Sequence, residues 1–250
     1  MKKYFGLCFV FFTIQGSDMP EELAELLVGA SEHQWQERDY LLPQDDVDTL
    51  YQMVKDVHDI FMKYHVEYWI DSGTLIGAVR QGGLLPWDDD VDLIVLKNQE
   101  QKFLALTPVF ERYGYALEVC SFGYKIYAKN GKKTDSEHTF PWIDIFIFDY
   151  CDDEELRIYF NGELIPPSIL KEVYYKKDVF PLRDYRFGPL TLKGPNNPMP
   201  YLNFVFYGWD KTVIMYNHTN NADLYVKFNS EVHKHALPSG LLQDHVAELV

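Results

Sequence analysis

The chain has 250 residues, 47% of them hydrophobic and 24% charged, which is ordinary globular usage and enough length to bury one sizeable core. Its formal net charge of −15 argues against a nucleic-acid partner, because phosphate backbones are held chiefly by Lys and Arg. The same charge makes a metal cation the expected companion of any anionic substrate.

Residues 1–17 read as a targeting segment: Lys2 and Lys3 lead an apolar run from Tyr4 to Ile14, and Gly16 and Ser17 supply small residues for cleavage. The run is shorter than the roughly 20 residues of a membrane span, and no later stretch is apolar enough to be one. The expectation is a signal peptide and a protein of the medium or a secretory lumen. A retained short anchor, holding the chain to a Golgi-type membrane, is the alternative, and membrane association is expected only in that case. Residues 18–44 look peripheral, and residues 45–250 form the folded domain.

From Asp45, a good N-cap, Val47, Leu50, Tyr51, Val54, Val57 and Phe61 recur at helical spacing and predict an amphipathic helix. Val66 to Ile70 then reads as a strand that stops at Asp71-Ser72-Gly73-Thr74, with a helix through Leu75, Ile76, Ala78 and Val79. A strand that turns through Gly into a helix start presents backbone N–H groups and the positive end of the helix dipole, both suited to phosphate. Gly73 lets an anion approach the backbone. Arg80, about two turns further on, is a candidate second contact to that anion, or else an ordinary arginine paired with a nearby aspartate.

Pro86 opens a turn into the densest acidic stretch, Asp88, Asp89, Asp90 and Asp92. An isolated run of this kind is usually a solvated surface turn. Here Val91, Leu93 and Val95 alternate with Asp90, Asp92 and Ile94, so a strand buries the first set and sends Asp90 and Asp92 to one face, about 7 Å apart. Two such carboxylates on a rigid strand suit a hard divalent ion that takes oxygen ligands.

Lys97 to Tyr113 predicts a helix interrupted near Pro108, followed by strands at Ala116 to Cys120 and Tyr124 to Ala128 and a polar loop at Asn130 to Thr139. Residues 142–149 alternate Ile143, Ile145 and Ile147 with Asp144, Phe146 and Phe148, leaving Asp144 a lone acid in an apolar strand. A buried carboxylate needs a partner, either a basic side chain or a metal shared with Asp90 and Asp92. Residues 152–200 alternate short strands with Pro and Gly turns. Beyond Cys8, Cys120 and Cys151 are as compatible with one disulfide as with two thiols. Asn217-His218-Thr219 is a weak glycosylation sequon, and His233 and His235 read as surface residues.

The series DSGTLIGAVR, LLPWDDDVD and WIDIFIFD, with the later VFPLRDYRFGPLTLKGPNNPMPYLNFVFYGWD, resembles the LicD family over roughly residues 40 to 210. That family includes bacterial phosphocholine transferases and fukutin-type ribitol-phosphate transferases. The resemblance implies an α/β (α+β) nucleotidyltransferase-like fold, a mixed β-sheet flanked by helices. It implies Asp90, Asp92 and Asp144 as ligands to Mg²⁺ or Mn²⁺, and Gly73 with Thr74 as a phosphate-facing turn assisted by Arg80. Asp88 matches the first acid of the family's Trp-Asp-x-Asp-x-Asp block and is a further catalytic candidate. The expected activity moves a phospho-alcohol from a nucleotide-diphosphate donor, CDP-linked, to a glycan hydroxyl. A nucleotidyltransferase proper and a catalytically silent glycan-binding module are the alternatives.

Overall fold

A computed structural model describes residues 42–120, 123–134, 138–206, 209–210, and the strands at 212–217 and 222–227. The targeting segment, residues 18–41, two of the three sequon residues, and His233 and His235 lie outside the described residues.

The first helix, α1 (Gln44–Tyr64), buries Leu50, Met53, Val54, Val57, Ile60 and Phe61, the stripe that the periodicity predicts. Its cap differs from expectation. Pro43 occupies the N-cap position and places Asp45 and Asp46 inside the first turn, where their charge favours the positive helix end. His65 closes the helix in a left-handed conformation. The chain then runs through β1 (Tyr68–Ile70), α2 (Ser72–Gln81) and β2 (Asp90–Leu96). The helix expected over 97–113 with an interruption near Pro108 is a 3₁₀ turn followed by α3 (Glu100–Leu104) and α4 (Thr107–Arg112), the break falling at Ala105 and Leu106. Pro108 does not break a helix; it sits in the first turn of α4, where its missing N–H costs nothing.

Next come β3 (Tyr115–Cys120), β4 (Gly123–Lys132) and β5 (Phe140–Tyr150). The polar stretch from Asn130 is not all loop, because β4 continues to Lys132 across a register shift after Tyr127. Gly131 permits this, since any Cβ there would strike the Phe140 carbonyl. As predicted, residues 155–194 are short elements: β6 (Glu155–Phe160), β7 (Glu163–Leu164), β8 (Val173–Tyr175), α5 (Lys176–Val179) and the hairpin β9 (Arg183–Phe187)–β10 (Leu190–Gly194). A final helix, α6 (Met199–Val205), precedes the hairpin β11 (Thr212–Asn217)–β12 (Ala222–Lys227).

The main sheet has the order β1-β2-β5-β4-β3, with β6 on β5 and β7 and β8 on β6. It is mixed: β2 and β5 run parallel, whereas β1, β4, β3 and β6 join antiparallel. Because β2 and β5 are interior strands with both faces covered, β2 is buried almost throughout rather than on one face only. Trp69 is fully buried, with Phe148, Tyr174 and Phe180 edge-on around it.

Cys120 and Cys151 form no disulfide. Cys120 pairs with Gly123, and Gly123 pairs with Phe146 on β5. Cys151 therefore lies five residues, about 17 Å, further along the sheet, beyond the roughly 7 Å Cα separation that a bridge tolerates.

Candidate metal and phosphate site

Asp90 and Asp92 enter from the start of β2, and Asp144 from the parallel β5, where Asp92 and Asp144 are direct register partners. Side chains at matching register on neighbouring strands share a face. The structure accordingly brings Asp90, Asp92 and Asp144 together, each offering a carboxylate oxygen and all these oxygens within 4.8 Å of one another. Asp90 and Asp144 are buried and Asp92 is partly so. Three convergent oxygens on a rigid sheet fit a hard divalent ion such as Mg²⁺ or Mn²⁺. Asp88 and Asp89, half-buried on the preceding turn, form a second acidic group with Asp90.

The β1–α2 junction is built around Asp71, which is fully buried. Its N–H donates to the Asp92 carbonyl at 3.0 Å, its carbonyl accepts from Leu75, and its carboxylate accepts from the Tyr174 hydroxyl at 2.7 Å. Ser72 takes a left-handed conformation at φ 47°, a local strain of the kind that concentrates at functional turns. Behind it, the Thr74 hydroxyl accepts from the Asp92 N–H at 2.8 Å and is buried. That side chain therefore fixes the height of Asp92, and what the Gly73-Thr74 turn presents outward is backbone. Gly73 lies beneath Asp88: a Cβ there would strike the Asp88 carboxylate. Replacing Gly73 with Ala is expected to displace Asp88 and slow turnover about tenfold or more, while the melting temperature changes by only a few degrees because Ala is the better helix former. Parallel rate and melting measurements check this.

Arg80 sits in the last turn of α2, about 12 Å along the axis from Ser72. It is buried, and desolvation lowers its pKa to about 10, with the Asp210 carboxylate acting in the opposite sense. The turn and the guanidinium thus belong to opposite ends of one short helix.

Sequence reading missed Lys125. It is the register partner of Asp144 on β4, and its Nζ lies 2.7 Å from Asp144 Oδ1 and 2.8 Å from Oδ2, both side chains being buried. The basic partner that Asp144 required is therefore present, 4.9 Å above the Trp142 ring. Alternation within residues 124–128 places Lys125 on the face opposite Ile126 and gives no sign of a buried acid, which comes from the neighbouring strand β5.

Burial raises the carboxyl pKa of Asp92 well above the usual range, reinforced by Asp90, Asp144, Asp88 and Asp71. Burial also raises Asp71 and, with Asp71 beside it, Glu172. A carboxyl whose folded pKa lies above its unfolded value binds more protons when folded, so its stabilising effect is lost as pH rises from about 4 through the folded pKa. In chelator, thermal stability is expected to fall as pH rises across that interval. Millimolar Mn²⁺ should restore the part due to Asp92 but not that due to Asp71 and Glu172, which melting curves with and without the ion will show.

The LicD/FKTN/FKRP nucleotidyltransferase-domain model matches residues 65–197, the segment that contains Asp71, Gly73, Arg80, Asp88, Asp90, Asp92, Lys125 and Asp144. An uncharacterized protein of Rickettsia typhi is 32% identical over 232 residues, spanning 86% of this chain and 69% of its own length. The lipopolysaccharide cholinephosphotransferase LicD of Haemophilus influenzae is 28% identical over 41% of this chain and 42% of that protein. The human ribitol 5-phosphate transferase FKRP is 26% identical over 55% of this chain and 30% of that protein. With its strand-borne acids and glycine turn inside the matched segment, the chain belongs to the LicD family, a family of transferases for substituted phosphate groups.

Proposed function

We propose that this protein is a metal-dependent phosphotransferase that moves a phospho-alcohol, namely phosphocholine, a polyol phosphate or a sugar phosphate, from a CDP-linked donor to a hydroxyl of a glycan or glycoconjugate. The observation that carries the reading is the convergence of Asp90, Asp92 and Asp144 beside the start of α2. Those three carboxylates would hold Mg²⁺ or Mn²⁺. What a bound divalent ion supplies is neutralisation of the diphosphate's charge and Lewis acidity toward the phosphorus under attack.

The chain's own residues do the rest. The first-turn N–H groups of α2 at Gly73 and Thr74 face the donor phosphates, where helix geometry leaves them without intrahelical acceptors. Arg80 adds positive charge from the far end of that helix. Asp88, half-buried above Gly73, accepts the proton of the acceptor hydroxyl; Asp144 is less suited to that role because both of its oxygens face Lys125. The acceptor oxygen bonds to the phosphorus that bears the alcohol, the diphosphate bridge breaks, and cytidine monophosphate leaves.

The test is a panel of cytidine-diphospho alcohols with Mn²⁺ and a glycan acceptor. Release of cytidine monophosphate together with a phospho-alcohol-bearing glycan supports the reading. A glycan bearing cytidine monophosphate indicates nucleotidyl transfer instead, and binding without turnover indicates a silent module. For compartment, our proposal is cleavage near Ser17 or Asp18 and export. N-terminal sequencing of protein from its own cell is expected to begin there, and an intact Met1 on a soluble cytosolic protein contradicts it.

A further inference from the structure

The row Asp92, Asp144, Lys125 crosses three adjacent strands at matched register, so one ammonium lies at the edge of a three-carboxylate cluster. We infer that Lys125 is a phosphate-binding residue: in the loaded site its ammonium turns from Asp144 to an oxygen of the donor diphosphate. This rests on the diphosphate-donor reading above.

Three convergent carboxylates are a poor host for an anionic donor, and Lys125 is a cation in direct contact with the triad, its Nζ 2.7 Å from Asp144. Lysine is a strongly hydrated point charge whose three N–H groups can be redirected without the planar constraint of a guanidinium. Two of its contacts now go to the two oxygens of a single carboxylate. Once Asp144 directs an oxygen toward a shared cation, its hold on Lys125 weakens, and an adjacent phosphate oxygen replaces what is lost at similar strength. Lys125 sits on interior strands, β4 beside β5, with its Nζ 4.9 Å over the Trp142 ring. The exchange therefore asks only for side-chain rotation.

A merely structural lysine and a phosphate-binding lysine differ in the sign of one effect. Mn²⁺ alone and inorganic pyrophosphate in saturating Mn²⁺ are the probes, with binding measured by calorimetry on the full chain. For Lys125→Met, the affinity for Mn²⁺ alone is expected to hold or tighten, because a competing positive charge is gone. Its affinity for pyrophosphate is expected to fall about tenfold to a hundredfold, the loss of a charge-assisted hydrogen bond. Lys125→Arg, which keeps the charge, should bind pyrophosphate better than the Met variant. Unchanged pyrophosphate affinity in the Met variant overturns the assignment to Lys125 alone, and so does a parallel loss of Mn²⁺ and pyrophosphate binding. No pyrophosphate binding by the unaltered chain overturns the diphosphate reading and Lys125's role with it. If Lys125→Met does not fold, a crystal of the unaltered chain with Mn²⁺ and pyrophosphate decides: Nζ within about 3.2 Å of a phosphate oxygen supports the assignment, and Nζ still on both Asp144 oxygens overturns it.

Discussion

Asp90→Asn and Asp92→Asn are each expected to lower the transfer rate at least about a thousandfold while the fold stays intact. Each exchange keeps the side-chain shape and removes one negative oxygen from a cluster spanning 4.8 Å. Stability should hold or rise, since Asp90 and Asp144 both press on the Asp92 carboxyl, and neutralising one member relieves that repulsion. Rate, Mn²⁺ affinity and melting temperature measured on the same preparations separate a lost ligand from a damaged fold. Retained activity and retained Mn²⁺ affinity in both variants would sink the assignment.

Asp144→Asn is expected to behave differently, although it also removes a ligand. Its carboxylate is the salt-bridge partner of a buried lysine, with side-chain exposures of 9% for Lys125 and 10% for Asp144. Removing one member of such a pair leaves the other charge buried without compensation, which costs about 3–5 kcal/mol. For a single domain of this size that is a fall of roughly ten degrees in melting temperature. Asp144→Asn should therefore lose both activity and stability, and the double variant Asp144→Asn with Lys125→Met should recover much of the stability but none of the activity. A double-variant cycle on melting curves checks the coupling; additive losses would show that the two side chains do not depend on each other.

The acidic triad was legible in the sequence because each member interrupts an apolar alternation, Asp90 and Asp92 among Val91, Leu93 and Val95, and Asp144 among Ile143, Ile145 and Ile147. Strand periodicity sets the face of a residue within its own strand, and the family block PWDDDVD supplied the rest. Lys125 was not legible, since its meaning depends on β4 lying antiparallel on β5 with Lys125 opposite Asp144, a pairing between segments that local pattern does not encode. Asp71 and Glu172 escaped for a related reason. Local pattern does not mark a turn aspartate or a loop glutamate as buried; their burial follows from later chain, with Tyr174 of β8 donating to Asp71 and packing on Trp69, and Tyr201 of α6 stacked on Tyr174. Thr74 is a related case: the resemblance placed it in a phosphate-facing turn, and the packing of α2 on β2 turns its hydroxyl to the Asp92 N–H. The interruption expected near Pro108 falls just before it, at Ala105 and Leu106, because proline is compatible with a helix's first turn and so marks a start as readily as a stop.

Anomalous diffraction from a crystal of the unaltered chain grown with Mn²⁺ addresses the central claim most directly. A manganese peak bound by oxygens of Asp90, Asp92 and Asp144 is expected, with its loss in the Asp92→Asn variant grown under the same conditions. A peak held elsewhere, or a triad that stays metal-free at millimolar Mn²⁺ and neutral pH, would contradict it.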